Sequence, residues 1–236
     1  MRVNQYRVLL HLQVNDKDEL VQGIRSRSPM KMSSQRLCLE PLEPYHAELL
    51  FDGLQSASIY KFIEDVPPQS VQSLRDRYMV LARRQSPDGT EIWLNWAVWS
   101  LVEKCYVGYV QATITIDNSA MLGYVFFPNF WGKGYALEAM KCMINYLVET
   151  YQNLDFRADV DVENHRSIAL LHNLGFVRST FFQNIESNQD EFKHEVQYRC
   201  AEVKRSQCVG RVPRLEATGV QKSKVKSIVF RAFTSF

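Results

Sequence analysis

Three consecutive apolar runs place the strongest limit on how this chain can fold. Residues 92–101, 106–116 and 121–127 are rich in aromatic and β-branched side chains, and only short, more polar segments separate them. Runs of this kind with short connections are typical of neighbouring antiparallel strands. The sequence therefore predicts an antiparallel meander at the centre of a sheet.

Strand and helix patterns alternate on both sides of these runs. A strand pattern at 36–42 and two helical patterns at 43–54 and 70–85 come before them. A long helical pattern follows at 135–151, and then a strand, a helix and two more strands at 156–162, 164–174, 177–186 and 191–200. This order predicts an α/β (α+β) fold with a mixed, mostly antiparallel central sheet flanked by helices.

Charge divides the chain into a body and two ends. Acidic residues outnumber basic ones within residues 35–200, whereas 1–34 and 201–236 are basic, and the whole chain carries a net charge of +2. We expect residues 1–34 to be an N-terminal extension outside the core, 35–200 to form one domain, and 201–236 to be a basic, mostly irregular tail. An acidic body favours a cationic acceptor over nucleic acid.

Other features of the composition concern the setting in which the chain works. No apolar run approaches the roughly 20 residues of a membrane-spanning helix, so we expect no membrane partner. The five cysteines are scattered and show no paired spacing, which is typical of reduced thiols in a cytoplasmic protein. The cysteines and histidines also lack the spacing of metal ligands, and we expect no metal.

A glycine-containing segment joins the third apolar run to the long helical pattern. Gly132 and Gly134 carry no side chains, so the backbone there could approach a ligand closely. The first turn of a helix offers unpaired N–H groups and the positive end of the helix dipole. The segment therefore predicts a cradle for an anionic group such as a pyrophosphate, although a tight turn without a ligand would have the same spacing.

This segment resembles the R/Q-x-x-G-x-G/A pyrophosphate loop of the GNAT N-acetyltransferases, with Trp131 at the Arg or Gln position. The strand pattern at 122–127, the N-x-x-S element at 164–167 and the L-G-F element at 174–176 are similar to the branch containing the ribosomal-protein alanine and serine acetyltransferases. The resemblance extends over about residues 35–200. It implies transfer of acetyl from acetyl-CoA to a primary amine, by direct attack in a ternary complex. The acceptor would be a protein N-terminus or a small molecule.

The resemblance also implies which residues bind acetyl-CoA. The exposed edge of strand 121–127, near Val125 and Phe127, would pair with the pantetheine arm. Asn164 would either reach the pantetheine or cap its own helix. The pyrophosphate would be held by the loop, namely by Trp131, Gly132, Lys133, Gly134, Tyr135 and Ala136.

Asp159 is the candidate for the group that removes the proton of the amine. Alternation along strand 156–162 places it opposite the apolar face, and it lies five residues before Asn164. In related N-terminal acetyltransferases the general-base glutamate occupies the matching position. The alternative is a structural ion pair with Arg157. Leu171 stands where many family members have the tyrosine that acts as general acid, so the acid is left unassigned.

Glu64 and Asp65 are candidates for attracting a cationic acceptor, because the resemblance implies that the first helices help to build the acceptor pocket. Solvated loop carboxylates would give the same pattern. A second function is also open, in which the chain binds acyl-CoA without catalysis and its basic tail holds a partner. The oligomeric state is not indicated by the sequence.

Overall fold

The computed structural model describes residues 29–151, 153–179 and 195–200. Within them, eight strands form one sheet with the order β1-β2-β3-β4-β5-β6-β8-β7. All neighbours pair antiparallel except β5 and β6, which are parallel. The predicted fold class and the central meander, formed by β3, β4 and β5, are confirmed. The strands are β1 Met32–Ser33, β2 Leu37–Pro41, β3 Glu91–Ser100, β4 Cys105–Thr115, β5 Ser119–Phe126, β6 Asp155–Asp161, β7 Val177–Arg178 and β8 Glu195–Cys200.

Four α-helices cover the two faces of the sheet in the described part of the chain. They are α1 His46–Leu50, α2 Val71–Leu81, α3 Tyr135–Thr150 and α4 His165–Asn173. The apolar sides of α3 and α4 pack into a large core on one face. The apolar sides of α1 and α2 pack into a smaller core on the other face. None of these described helices is both long enough and apolar enough to cross a membrane.

Alternation along β6 fixes which face each side chain serves. Phe156, Ala158 and Val160 are buried in the larger core beneath α3 and α4. Asp159 therefore lies on the opposite face, as predicted, and that is the face covered by α1 and α2.

The N-terminal boundary of the domain differs from the prediction. Met32 and Ser33 pair with Leu39 and Cys38 of β2, so residues assigned to the extension form the edge of the sheet. The backbone carbonyl of Met30 also accepts a hydrogen bond of 3.0 Å from Nε1 of the buried Trp96. The predicted boundary after residue 34 is therefore too late. Residues 1–28 and 201–236, including the predicted tail, lie outside the described residues.

Two predicted elements are shorter in the structure than their sequence patterns. The pattern at 43–54 gives only α1, followed by 3₁₀ turns at Asp52–Gln55 and Ala57–Lys61. The pattern at 70–85 gives α2, which begins at the predicted cap, because the Ser70 side chain accepts from the Ser73 N–H at 3.0 Å. Most of the final hairpin lies in residues 180–194, outside the described residues.

Candidate active site

An opening in the sheet lies between the parallel strands β5 and β6. The two strands pair only where they begin, at Ser119–Met121 and Asp155–Arg157. Beyond this point β5 continues along β4, and β6 continues along β8, without further pairing to each other in the described structure. The strands diverge and leave two facing edges whose backbone groups do not pair with each other in the described part of the chain.

The register of β5 decides which of its backbone groups face this opening. The N–H of Phe127 donates to the carbonyl of Val107 at 2.9 Å, so it points towards β4. Backbone groups alternate along an antiparallel pair, so Val125 also bonds towards β4, and the opening is faced by Tyr124 and Phe126. The prediction that Val125 and Phe127 border the opening is wrong by one residue, because strand periodicity does not reveal hydrogen-bonding direction. The Val125 and Phe127 side chains pack in the smaller core instead.

The predicted loop follows β5 and turns into α3. Gly132 and Gly134 have φ values of 75° and 78°, the left-handed conformation that favours glycine. The first intrahelical bond is from the Glu138 N–H to the Gly134 carbonyl at 3.1 Å. Among the described residues, no acceptor is bonded to the N–H groups of residues 132–137. A Cβ on Gly132 would meet no atom within 4 Å, so the space above this loop is open.

Two basic residues beside the loop have carboxylate partners. Lys133 Nζ lies 2.8 Å from Glu103 Oε1, and this bond raises the pKa of Lys133 and lowers that of Glu103. Arg36 pairs with Glu138 at 2.7 Å and donates to the Lys133 carbonyl at 3.1 Å. Both cations therefore brace the turn into α3, and their charges are largely compensated.

Trp131, the residue at the Arg or Gln position of the family motif, is held by two contacts. Its indole Nε1 donates to the carbonyl of Phe126 at 2.6 Å, one of the backbone groups that face the opening. The guanidinium of Arg166, on α4, lies 5.1 Å from the centre of its ring. Trp131 thus connects the end of β5 with the helix that follows β6.

The first turn of α4 forms the other side of the opening. Asn164 caps this helix, since its side-chain oxygen accepts from the Ser167 N–H at 3.2 Å. The Ser167 hydroxyl accepts a bond of 2.8 Å from the hydroxyl of Tyr124 on β5. Burial raises the pKa of Tyr124 despite this hydrogen bond. Leu171, one turn further along, is buried in the larger core with 2% of its surface exposed.

Asp159 lies on β6 with a neutral partner. Its Oδ1 accepts from Nε2 of Gln197, on the adjacent strand β8, at 3.1 Å. Arg157 instead donates to Oδ2 of Asp155 at 2.7 and 2.8 Å. The alternative of an Arg157–Asp159 pair is therefore not found, because Arg157 turns towards the beginning of the strand.

A small cavity of about 20 Å³, lined by both apolar and polar side chains, lies on the Asp159 face of the sheet, between α2 and strands β3 and β4. Asp65 lines it and pairs with Arg77 at 2.7 Å, whereas Glu64 is exposed. Burial raises the pKa of Tyr109, in the cavity wall, to about 12. The hydroxyl of Tyr78 is buried without a hydrogen-bond partner in the described structure. The space suits one or two water molecules or a small polar group.

Sequence reasoning missed several residues of this arrangement. Arg166, Glu103 and Arg36 reach the loop from segments about 30 to 100 positions away, and charged residues outside the core carry no periodic signal that reveals such contacts. Tyr124 lay inside a recognised strand, and only the direction of its side chain distinguishes it from a core tyrosine.

Comparison with known proteins identifies relatives of this chain. The model of the acetyltransferase (GNAT) domain family matches residues 36–177. An uncharacterized N-acetyltransferase, p20 from Bacillus licheniformis, is 26% identical over 153 residues, which is 65% of this chain and 85% of that protein.

Solved structures share the fold. A GNAT-family acetyltransferase from Bacillus anthracis has a TM-score of 0.58 and 21% identity, over 72% of this chain and 97% of its own. The ribosomal L7/L12 alpha-N-protein acetyltransferase RimL in complex with coenzyme A has a TM-score of 0.59 and 18% identity, over 72% of this chain and 96% of its own.

Proposed function

Because the chain belongs to the GNAT acetyltransferase family and is an acetyltransferase, we propose that it transfers acetyl from acetyl-CoA to a primary amine by direct attack in a ternary complex. The family relationship supports an acyltransferase that uses a coenzyme A thioester. The family relationship alone does not specify the mode of attack or the class of acceptor. We infer both from the arrangement around the opening between β5 and β6.

The proposed binding of the acyl donor rests on the N–H groups of residues 132–137, which have no acceptor among the described residues. These groups lie at the positive end of α3, where an anionic diphosphate is favoured. The left-handed glycines and the open space over Gly132 allow a ligand to approach the backbone. The loop residues therefore fit the diphosphate of acetyl-CoA.

The diverging strands suit the amide-rich arm of the same molecule. An extended arm can add to a free strand edge through main-chain hydrogen bonds. On β5 the groups available for this are the N–H and carbonyl of Tyr124 and the N–H of Phe126, since the Phe126 carbonyl already accepts from Trp131. A backbone N–H on this edge would also polarise the carbonyl that is attacked, in the manner of an oxyanion hole.

The acceptor must lose a proton before it attacks. An α-amine with a pKa of ~8 is about one tenth neutral at pH 7, whereas a lysine-type amine with a pKa of ~10.4 is less than a thousandth neutral. Asp159 would take the proton, directly or through water, because it lies on β6, which borders the opening, and on the face opposite the larger core. Gln197 donates to one oxygen of this carboxylate and orients it.

The leaving thiolate needs a proton in return. Leu171 is apolar and buried, so the tyrosine position of the family offers no acid here. The hydroxyls of Tyr124 and Ser167, hydrogen-bonded across the opening at 2.8 Å, would supply the proton instead. A tyrosine is protonated at neutral pH, and burial raises the pKa of Tyr124 further.

The acceptor we propose is a protein N-terminus or a small primary amine, with a terminal α-amine favoured by its lower pKa. RimL, a structural neighbour, acts on the α-amine of a ribosomal protein. The carboxylate of Asp65 is compensated by Arg77, so it would orient a water or a polar group of the acceptor rather than attract a cation over a distance.

An assay of thiol release tests this proposal. The purified protein is incubated with acetyl-CoA and a panel of N-terminal peptides, their Nα-acetylated forms, amino acids and polyamines. We expect release of coenzyme A with at least one free amine and none with blocked peptides. Tight binding of acetyl-CoA without release by any amine would favour the non-catalytic alternative.

A further inference from the structure

Arg166 occupies a position that the donor site described above does not explain. It is exposed, in the first turn of α4, and its guanidinium lies 5.1 Å from the ring centre of Trp131. Trp131 is the residue directly before Gly132, so this contact brings a cation from the far side of the opening to the beginning of the loop. No carboxylate of the described residues lies within ion-pair distance of Arg166.

The other cations at the loop differ from Arg166 in this respect. Lys133 pairs with Glu103, and Arg36 pairs with Glu138. Their positive charges are compensated, and their side chains act as braces of the turn. Among the three, Arg166 alone keeps a charge that is not offset by a carboxylate in the described structure.

The contact with Trp131 also fixes how the guanidinium can bind. The position of the indole ring is fixed by a hydrogen bond, because its Nε1 donates to the Phe126 carbonyl at 2.6 Å. A guanidinium near the face of a tryptophan is attracted by the ring and keeps its N–H groups available at its own edge. Those groups form the fork that matches two oxygens of a phosphate.

We propose that Arg166 binds the diphosphate of the acyl-CoA donor and supplies, from α4, the side-chain cation that the loop lacks at Trp131. Trp131 then serves as a platform that positions this arginine. The inference rests on the proposed function, since it assumes that the loop holds a coenzyme A thioester. It adds a second wall to the diphosphate site, on the opposite side of the opening from α3.

Calorimetric titration of the full-length protein with coenzyme A, 3′-dephospho-coenzyme A and pantetheine tests the role of Arg166. We expect Arg166→Ala to weaken coenzyme A binding by about 10- to 100-fold, as for loss of a charge-assisted hydrogen bond, and Arg166→Lys to give a smaller loss. The loss should be the same for 3′-dephospho-coenzyme A and absent for pantetheine, which has no diphosphate. Arg178→Ala is the matched control, because it removes one exposed arginine on β7, far along the sheet order from the loop.

The platform role of Trp131 has its own measurement. Trp131→Ala should weaken coenzyme A binding, and the double variant with Arg166→Ala should lose less than the two single losses combined, since the residues act through one contact. Fully independent losses would overturn the role of Trp131 as a platform.

The remaining outcomes separate this inference from the proposed function. Coenzyme A binding by Arg166→Ala at the wild-type affinity, with binding lost in Gly134→Val, would remove Arg166 and leave the proposed donor site intact. A loss confined to coenzyme A and absent for 3′-dephospho-coenzyme A would overturn the diphosphate assignment in favour of the 3′-phosphate. Failure of the wild-type protein to bind coenzyme A would overturn both.

Discussion

The carboxylate of Asp159 is held by the amide of Gln197 at 3.1 Å, across the antiparallel pair β6 and β8. This bond orients the carboxylate. The neighbouring Asp155 is different, because it binds both Arg157 and Arg199, at 2.7 and 2.5 Å. The two aspartates lie on the same strand face, so Asp155 supplies a matched control for Asp159.

Asp159→Asn should lower the rate of transfer at pH 7 by about 10²- to 10⁴-fold, with little change in coenzyme A affinity, if Asp159 removes the amine proton. The loss should shrink at high pH, where the amine deprotonates without help. Asp155→Asn is the control, and it should lower the melting temperature while turnover per folded molecule is retained. Rates against pH and thermal melts of both variants are the measurements. Near-normal turnover of folded Asp159→Asn at pH 7 would exclude Asp159 as the base.

Gly134→Val should abolish measurable coenzyme A binding. A β-branched residue at a φ of 78° is strained by about 1–2 kcal/mol, and its side chain would occupy the space that the ligand needs. Gly175 offers a matched control, because it has a φ of 85° just after α4 and no atom within 4 Å of an added Cβ. Gly175→Val should lose similar stability in a thermal melt but keep its affinity. Equal affinities of the two variants in calorimetry would remove the loop from the donor site.

The sequence was sufficient to predict the sheet, the helices and the position of the loop, because each depends on local periodicity or on glycine. The residues around the opening were not predictable in the same way. Whether Tyr124 or Val125 faces β6 depends on the hydrogen-bond register with β4, and a shift of one residue leaves the apolar pattern of the strand nearly unchanged. The Arg166–Trp131 contact depends on where two distant elements meet.

The missed strand β1 has a similar cause. Two residues give no periodic signal, and both fall within the N-terminal extension that the change of charge predicts. Its place in the fold is fixed by long-range contacts, such as the 2.8 Å bond from the Ser34 hydroxyl to Glu138 on α3.

A fragment of residues 29–202 should fold and bind coenzyme A, whereas a fragment of residues 35–202 should melt at a lower temperature. The shorter fragment loses β1, the Met30 carbonyl that satisfies buried Trp96, and the Lys31–Glu40 ion pair. A buried donor left without its acceptor costs about 1–3 kcal/mol. Differential scanning fluorimetry of both fragments beside the full chain measures this. Identical melting temperatures of the two fragments would show that β1 contributes nothing.

His46 should make the folded state less stable as the pH falls below about 6.5, the usual pKa of histidine. Burial lowers its pKa in the folded protein, despite its contacts with Glu43 and Glu40. Above pH 6.5 the ring is neutral in both states. Below it, the unfolded chain binds a proton that the folded protein does not, so stability falls by up to about 1.4 kcal/mol per pH unit.

Urea unfolding at pH 7.0, 6.0 and 5.5 measures this effect. His46→Asn retains an acceptor for the N–H of Glu43, which the imidazole Nδ1 provides at 3.0 Å, and removes the titrating ring. The variant should be less stable at pH 7 but should lose less stability between pH 7 and 5.5. His172→Asn, at an exposed histidine, should keep the wild-type slope. If the unfolding free energy of His46→Asn changes with pH as much as that of the wild-type protein, His46 is not the residue that causes the loss of stability.

The unpaired edges of β5 and β6 face each other, not the outside of the sheet. An outward-facing edge is a template on which other chains add as strands, and it is a common origin of aggregation. The opening between β5 and β6 narrows to the paired residues Ser119 and Asp155, so an added chain can enter only from its wide end. The protein thereby keeps backbone amides available for a ligand without exposing an edge strand that could pair with other molecules. Binding of a narrow, amide-bearing molecule in this opening would slow hydrogen exchange of the backbone amides of Tyr124 and Phe126, as if the sheet had gained a short additional strand.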